Sequence, residues 1–81
     1  MKNHEIARAI ANIAIFLEFS PDDILDEDAS MQAMEQLSSD LQELDRNSRE
    51  ILSSGFRSIA SDYKGMARNF VENLPDSLGI E

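Results

Sequence analysis

The chain has 81 residues, which is room for one small domain, and its 16 acidic and 7 basic residues give a formal net charge of −9, which disfavours binding to nucleic acid. It has no cysteine, and therefore neither a disulfide framework nor a thiolate metal site. No apolar run approaches the ~18 residues that a membrane-spanning helix needs, and no signal-peptide pattern opens the chain, so we expect a cytoplasmic protein that does not enter a membrane.

The first predicted helix covers residues 3–18. Asn3 is suited to the N-cap, and Glu5 complements the helix dipole in the first turn. The largest apolar side chains at helical spacing form one stripe, which we expect to close the bundle: Ile6, Ile10, Ile13 and Leu17. Three further apolar side chains lie away from this stripe: Ile15, Phe16 and Phe19. We expect the following turn to cover Phe19 and Ile15 to lie near a contact surface.

A short helical turn is predicted near residues 21–26. Ser20 is suited to its N-cap and Pro21 to its first position. The second main helix is predicted over residues 29–45. Its apolar side chains recur at helical spacing and are Met31, Met34, Leu37, Leu41 and Leu44.

The third main helix is predicted over residues 47–73, after a capping box formed by Asn47 and Glu50. An apolar seam alternates by four and three along it and consists of Leu52, Phe56, Ile59, Tyr63, Met66 and Phe70. Gly55 is the expected weak point of this helix, because glycine disfavours helix and permits a kink. The seam continues past Gly65, so we expect no break there.

The predicted fold is therefore all-α, a small bundle of three main helices plus the short turn. Residues 1–74 form a single domain, and residues 75–81 are a C-terminal tail. The apolar residues of the tail leave two alternatives open, because it either folds back on the bundle or frays at the chain end.

The sequence offers little for catalysis. His4 is the only histidine and lies at the start of the first helix. The acidic cluster between residues 22 and 28 is interrupted by Ile24 and Leu25 and lacks the glycine of an EF-hand calcium loop. No Glu-x-x-His pair supports a di-metal bundle. We expect no enzyme activity, no metal and no cofactor.

Charge is unevenly distributed along the chain. No lysine or arginine lies between Arg8 and Arg46, whereas ten acidic residues do. On the third predicted helix, Arg57, Lys64 and Arg68 fall within about 40° of one another. This basic face is either an ordinary solvated surface or a ridge against an acidic partner.

Two hypotheses for function follow. The first is a non-enzymatic inhibitor whose carboxylates occlude a basic surface of a partner protein, such as a toxin or an enzyme; bacterial immunity proteins and antitoxins share this physical character. Its expected partner-binding residues are Asp22, Asp23, Asp26, Glu27, Asp28, Glu35, Asp40 and Glu43. The alternative is a homodimeric structural or regulatory adaptor. Its expected contact residues are Ile15, Phe16 and Phe19.

Overall fold

Five α-helices account for most of residues 4–81, the part of the chain that the computed structural model describes, and no strand occurs within that range. The helices are α1 (Glu5–Phe19), α2 (Glu27–Gln42), α3 (Arg46–Ile59), α4 (Gly65–Glu72) and α5 (Leu74–Ser77), with a 3₁₀ turn at Ala60–Asp62. The all-α bundle predicted from the sequence is confirmed. Between α1 and α2, the backbone N–H groups of Ile24 and Leu25 donate to the carbonyl of Pro21 and form a short turn.

Aspartates begin two of the helices. The carboxylate of Asp26 accepts from the backbone N–H of Ala29, at 3.1 Å, and caps α2. The carboxylate of Asp45 accepts from the N–H of Ser48, at 2.7 Å, and caps α3. Each bond satisfies an N–H that a helix start otherwise leaves without a partner.

Two N-caps predicted from the sequence are wrong, each for its own reason. Asn47 lies inside α3, because Asp45 has already begun that helix, and Glu50 pairs with Arg46 instead of closing a capping box. Ser20 ends α1, and its hydroxyl donates to the carbonyl of Phe16 at 2.6 Å. The predicted cap at Asn3 lies outside the described residues.

Alanines, rather than isoleucines, form the inner face of α1. Ala7, Ala11 and Ala14 are buried, whereas Ile6 and Ile13 are 70% and 57% exposed. The expectation that the stripe closes the bundle is therefore wrong for Ile6 and Ile13, whereas Ile10 packs against the core. The small side chains allow α1 to approach α3 closely, and the isoleucines are displaced toward the flank.

The third predicted helix is not continuous over 47–73. It runs without interruption through Gly55 but ends at Ile59, and α4 begins only at Gly65. Gly65 has φ +61°, a left-handed conformation that glycine adopts without the steric penalty of a Cβ. The chain therefore turns where the apolar seam predicts continued helix, and Met66, a seam residue, is 73% exposed.

The core lies where α3, α4 and the C-terminal segment meet. Its largest fully buried side chains are Phe56, Ile59, Val71, Leu74, Pro75 and Leu78. The tail folds back on the bundle, the first of the two alternatives, and Ile80 is also buried. The hydroxyl of Ser38 and the side-chain amide of Gln42, both in α2, donate to the carbonyl of Leu78 and hold the tail in place.

Candidate interaction surfaces

The structure places the eight acidic residues predicted to bind a partner on the surface. All are exposed, and none takes part in an ion pair within residues 4–81. They occupy the turn before α2, the helix itself and its C-cap, in the order Asp22, Asp23, Asp26, Glu27, Asp28, Glu35, Asp40 and Glu43. A surface of this kind repels anions and attracts cationic groups.

The acidic residues do not all have the same role. Asp26 caps α2, so at least part of its contribution is structural. Asp28, Glu35 and Glu43 lie within about 80° of one another around the α2 axis, on the side opposite the partly buried Leu37. The other side chains on this side of α2, Gln32 and Ser39, are polar, and α2 contains no basic residue, so this outer face is acidic and polar. We call it the α2 acidic face.

The three residues expected to contact a second copy have different environments. Ile15 is half-buried and packs against the core. Phe19 meets the ring of Phe70 in α4 edge-on, with ring centroids 5.4 Å apart, although it remains 41% exposed. Phe16 is 52% exposed. Packing within the chain therefore already engages Ile15 and Phe19, and Phe16 is the most available of the three.

A larger apolar surface, which the sequence did not indicate, is a groove between α1, the end of α2 and the start of α3. It has a volume of about 350 Å³ and is lined by Ile6, Ala7, Ile10, Leu41, Leu44, Ser48, Ile51 and Leu52. Ile6, Leu44 and Ile51 are respectively 70%, 39% and 54% exposed. No charged side chain lines the groove, so it is suited to an apolar contact.

A second surface that sequence reasoning missed is a basic pocket on α3. It has a volume of about 340 Å³ and is lined by Arg46, Arg49, Glu50, Ser53, Arg57, Ile80 and Glu81. Arg46 pairs with Glu50 at 3.2 Å, and Arg57 pairs with the carboxylate of Glu81. The fold-back of the tail builds one wall of this pocket, which explains why helical spacing alone did not predict it.

The basic ridge predicted from Arg57, Lys64 and Arg68 does not form on one helix. Arg57 belongs to α3, Lys64 precedes α4 and Arg68 lies within α4. The turn after Ile59 removes the shared helical face on which that prediction depended.

Polar contacts fasten α1 to the segment after α3. Arg8 pairs with Asp62 at 2.9 Å, and the hydroxyl of Tyr63 donates to the side-chain carbonyl of Asn12 at 2.7 Å. The hydrogen bond to Asp62 raises the pKa of Arg8 above its usual value. These contacts fix the outer flank of α1, which lies away from the apolar groove.

The described residues bring together no group of three or more histidine, cysteine, aspartate and glutamate side chains that could hold a metal ion. Over the same range, no helix has the length and the apolar character needed to cross a membrane. His4, the only histidine, lies close to Gly55 of α3, whose added Cβ would be 3.5 Å from its Nδ1.

Comparison of the chain with protein-family models, with curated proteins and with solved structures gives no significant match.

Proposed function

We propose that the protein is a non-enzymatic inhibitor of the immunity-protein or antitoxin type, which acts in the bacterial cytoplasm by covering a basic surface of a partner protein. The observation that supports this proposal is the run of eight exposed acidic residues from Asp22 to Glu43, which includes the α2 acidic face. None of the eight has a basic partner among the residues that the structure describes.

Unpaired carboxylates on one face favour recognition of cations for a physical reason. A carboxylate that is already paired within the chain would have to leave one basic partner to bind another, so its binding free energy would be small. The carboxylates of α2 have no basic partner to leave, and their summed electric field accelerates encounter with a basic surface. Arginine and lysine side chains that a target uses for its own substrate are the groups such a face would cover.

A salt-dependent capture experiment tests the proposal. The tagged protein is exposed to an extract of its own cells at about 0.05 M and about 0.5 M salt, since screening shortens the range of charge interactions. The α2 variant D28N/E35Q/E43Q is compared with a control that changes net charge equally at other exposed positions, E5Q/E72Q/D76N.

We expect the wild type and the control to retain a basic protein at low salt and release it at high salt. The α2 variant retains less of it and inhibits its activity less. Equal retention by both variants, or binding that is indifferent to salt, would contradict the proposal.

The apolar groove favours a second candidate function, a homodimeric structural or regulatory adaptor. Ile6 and Ile51 are both more than half exposed beside this groove, and apolar surface that is rimmed by polar residues is typical of interfaces. Two-fold contact between identical grooves would remove both side chains from water. The two functions are compatible, because the groove and the acidic face contain different residues.

Sedimentation velocity over a range from micromolar to millimolar protein tests the second candidate. We expect a dimer whose population rises with concentration, and a shift toward monomer in I51S. M66S removes a more exposed apolar side chain outside the groove and leaves the dimer unchanged. A chain that stays monomeric at millimolar concentration would exclude the adaptor but not the inhibitor.

A further inference from the structure

The basic pocket is built on one face of α3. Arg46, Arg49, Ser53 and Arg57 follow one another at intervals of three, four and four residues. At about 100° per residue these positions fall within about 80° of one another. The folded-back tail lies across from them and contributes Ile80 and Glu81.

Two polar atoms of this pocket are buried without a hydrogen-bond partner among the described residues. They are the hydroxyl oxygen of Ser53 and Nε of Arg49. Ser53 is only 4% exposed and is the one polar residue among the buried side chains of the described chain. Buried polar groups in folded proteins nearly always have a partner, and the described residues supply none for these two atoms.

The charged side chains that line the pocket favour an anion, because three arginines outnumber two glutamates. Arg46 and Arg57 are each paired with one carboxylate, from Glu50 and Glu81. The guanidinium of Arg49 has no ion-pair partner within residues 4–81. The pocket therefore carries one positive charge more than its lining side chains neutralise, even though the whole chain has a net charge of −9.

We propose that this pocket binds the phosphate group of a small phosphorylated molecule. Arg49 and Ser53 donate hydrogen bonds to its oxygens, Arg46 and Arg57 flank it, and the carboxylate of Glu81 gives up its place on Arg57. A phosphate group offers three acceptor oxygens and about −1.5 to −2 charges at neutral pH, and the guanidinium fork matches its geometry. The volume of about 340 Å³ is within the range of small-molecule sites and exceeds what inorganic phosphate fills.

This site is independent of the proposed inhibitor function. It lies on α3 and the tail, whereas the carboxylates proposed to contact a partner protein lie on α2 and the preceding turn. Either proposal can fail without the other, because the residues and the sign of the charge both differ.

Titration followed by NMR tests the proposal, with inorganic phosphate, glycerol 3-phosphate and acetate as probes. The signals to follow are the Nε–H of Arg49 and the backbone amide of Ser53. We expect saturable shifts with both phosphate compounds and none with acetate at the same concentration. Tighter binding of glycerol 3-phosphate assigns the site to a phosphate ester, and equal binding assigns it to the free anion.

Three variants separate a built site from general attraction of anions. R49Q lowers the affinity about tenfold, as expected for loss of a charge-assisted hydrogen bond. R68Q, which removes an exposed arginine of α4 outside the pocket, leaves the affinity unchanged. E81Q removes the competing carboxylate and raises the affinity about two- to fivefold, a gain that damage to the fold would not produce.

Absence of saturation would overturn the proposal, as would equal saturation by acetate. Equal losses in R49Q and R68Q would also overturn it, because the attraction would then depend on charge alone. Circular dichroism of each variant establishes that it folds before its affinity is measured.

Discussion

A Cβ placed on Gly55 of α3 would lie 3.0 Å from the Cβ of Ala7 in α1, so these two helices meet through their smallest side chains. Ala7 is 1% exposed, and Ala11 and Ala14, which follow it on the same face of α1, are fully buried. The close approach of α1 to α3 therefore depends on the absence of bulk along this line.

Enlarging Ala7 tests this close approach. We expect Ala7→Leu to lower the free energy of unfolding by about 1–3 kcal/mol, because added volume at a tight contact forces the helices apart. Ala9→Leu makes the same chemical change at an exposed position of α1 and changes stability by less than about 0.5 kcal/mol. Urea denaturation of both variants measures the difference, and equal effects would show that the helices are not in close contact.

The C-terminal segment is expected to behave as part of the core. Leu78 is 1% exposed, so Leu78→Ala lowers the free energy of unfolding by about 2–5 kcal/mol through lost burial and a residual cavity. Met66→Ala removes a side chain that is 73% exposed and has little effect. Thermal or urea denaturation compares them, and a loss at Leu78 no greater than that at Met66 would indicate a tail that frays.

The cap of α3 predicts a dependence of stability on pH. The hydrogen bond from the backbone N–H of Ser48 lowers the pKa of Asp45 below its usual 3.8. A carboxyl group with a lowered pKa in the folded state stabilises the fold above its unfolded pKa, and this contribution is lost as the pH falls through the folded pKa. We therefore expect the charged cap to act fully at neutral pH and to weaken below about pH 4.

Two substitutions at Asp45 separate its charge from its capping geometry. Asp45→Ala loses both and lowers Tm by about 5 °C at pH 7. Asp45→Asn keeps a capping oxygen but does not titrate, so its Tm approaches that of the wild type as the pH falls below about 4. A constant difference between wild type and Asp45→Asn from pH 7 to pH 3 would contradict the assignment.

The acidic face of α2 is expected to destabilise the fold slightly. Glu35 and Glu43 make no ion pair within the described range, and Glu43 lies at the C-terminal end of α2, where the helix dipole disfavours a carboxylate. Neutralising them relieves repulsion without breaking a contact. We expect E35Q/E43Q to raise Tm by a few degrees at low salt and by less at about 0.5 M salt, where screening already reduces the repulsion. A lower Tm in this variant would show that the carboxylates stabilise the fold.

Helical spacing predicted a helix over residues 3–18, close to the observed α1, but not which side of it is inside. Ile6, Ile10 and Ile13 recur at helical spacing, and so do Ala7, Ala11 and Ala14. Hydrophobicity favours the isoleucines, whereas close contact with α3 requires the alanines. The requirement for alanine at this contact arises from Gly55, which is more than 40 residues away in the sequence. The periodicity of α1 therefore does not contain it.

The apolar spacing also failed to predict the turn between α3 and α4. Apolar residues continue at helical spacing through Ile59, Tyr63 and Phe70, although the backbone turns between them. Each of these side chains contacts the core from a separate segment, so the apolar spacing in the sequence continues although the backbone changes direction. Gly65 was a visible signal, but its positive φ is a property of the folded chain.

The candidate surfaces also differ in how far they can be predicted from the sequence. The α2 acidic face depends on the residues of a single helix, and those residues are exposed in the structure. The apolar groove needs three helices, and the basic pocket needs the tail to reach α3. Surfaces formed by distant segments require the tertiary fold before they can be recognised.

The alanine face of α1 also affects how the protein behaves at high concentration. With alanine inside, Ile6 and Ile13 of this helix remain largely in contact with water, and the negative net charge keeps the molecules apart by mutual repulsion. Near pH 4, where carboxyl groups take up protons, that repulsion becomes weak, whereas the exposed isoleucine side chains remain apolar. We therefore expect folded molecules to associate through this exposed apolar flank in acid, a consequence of the close contact between α1 and α3.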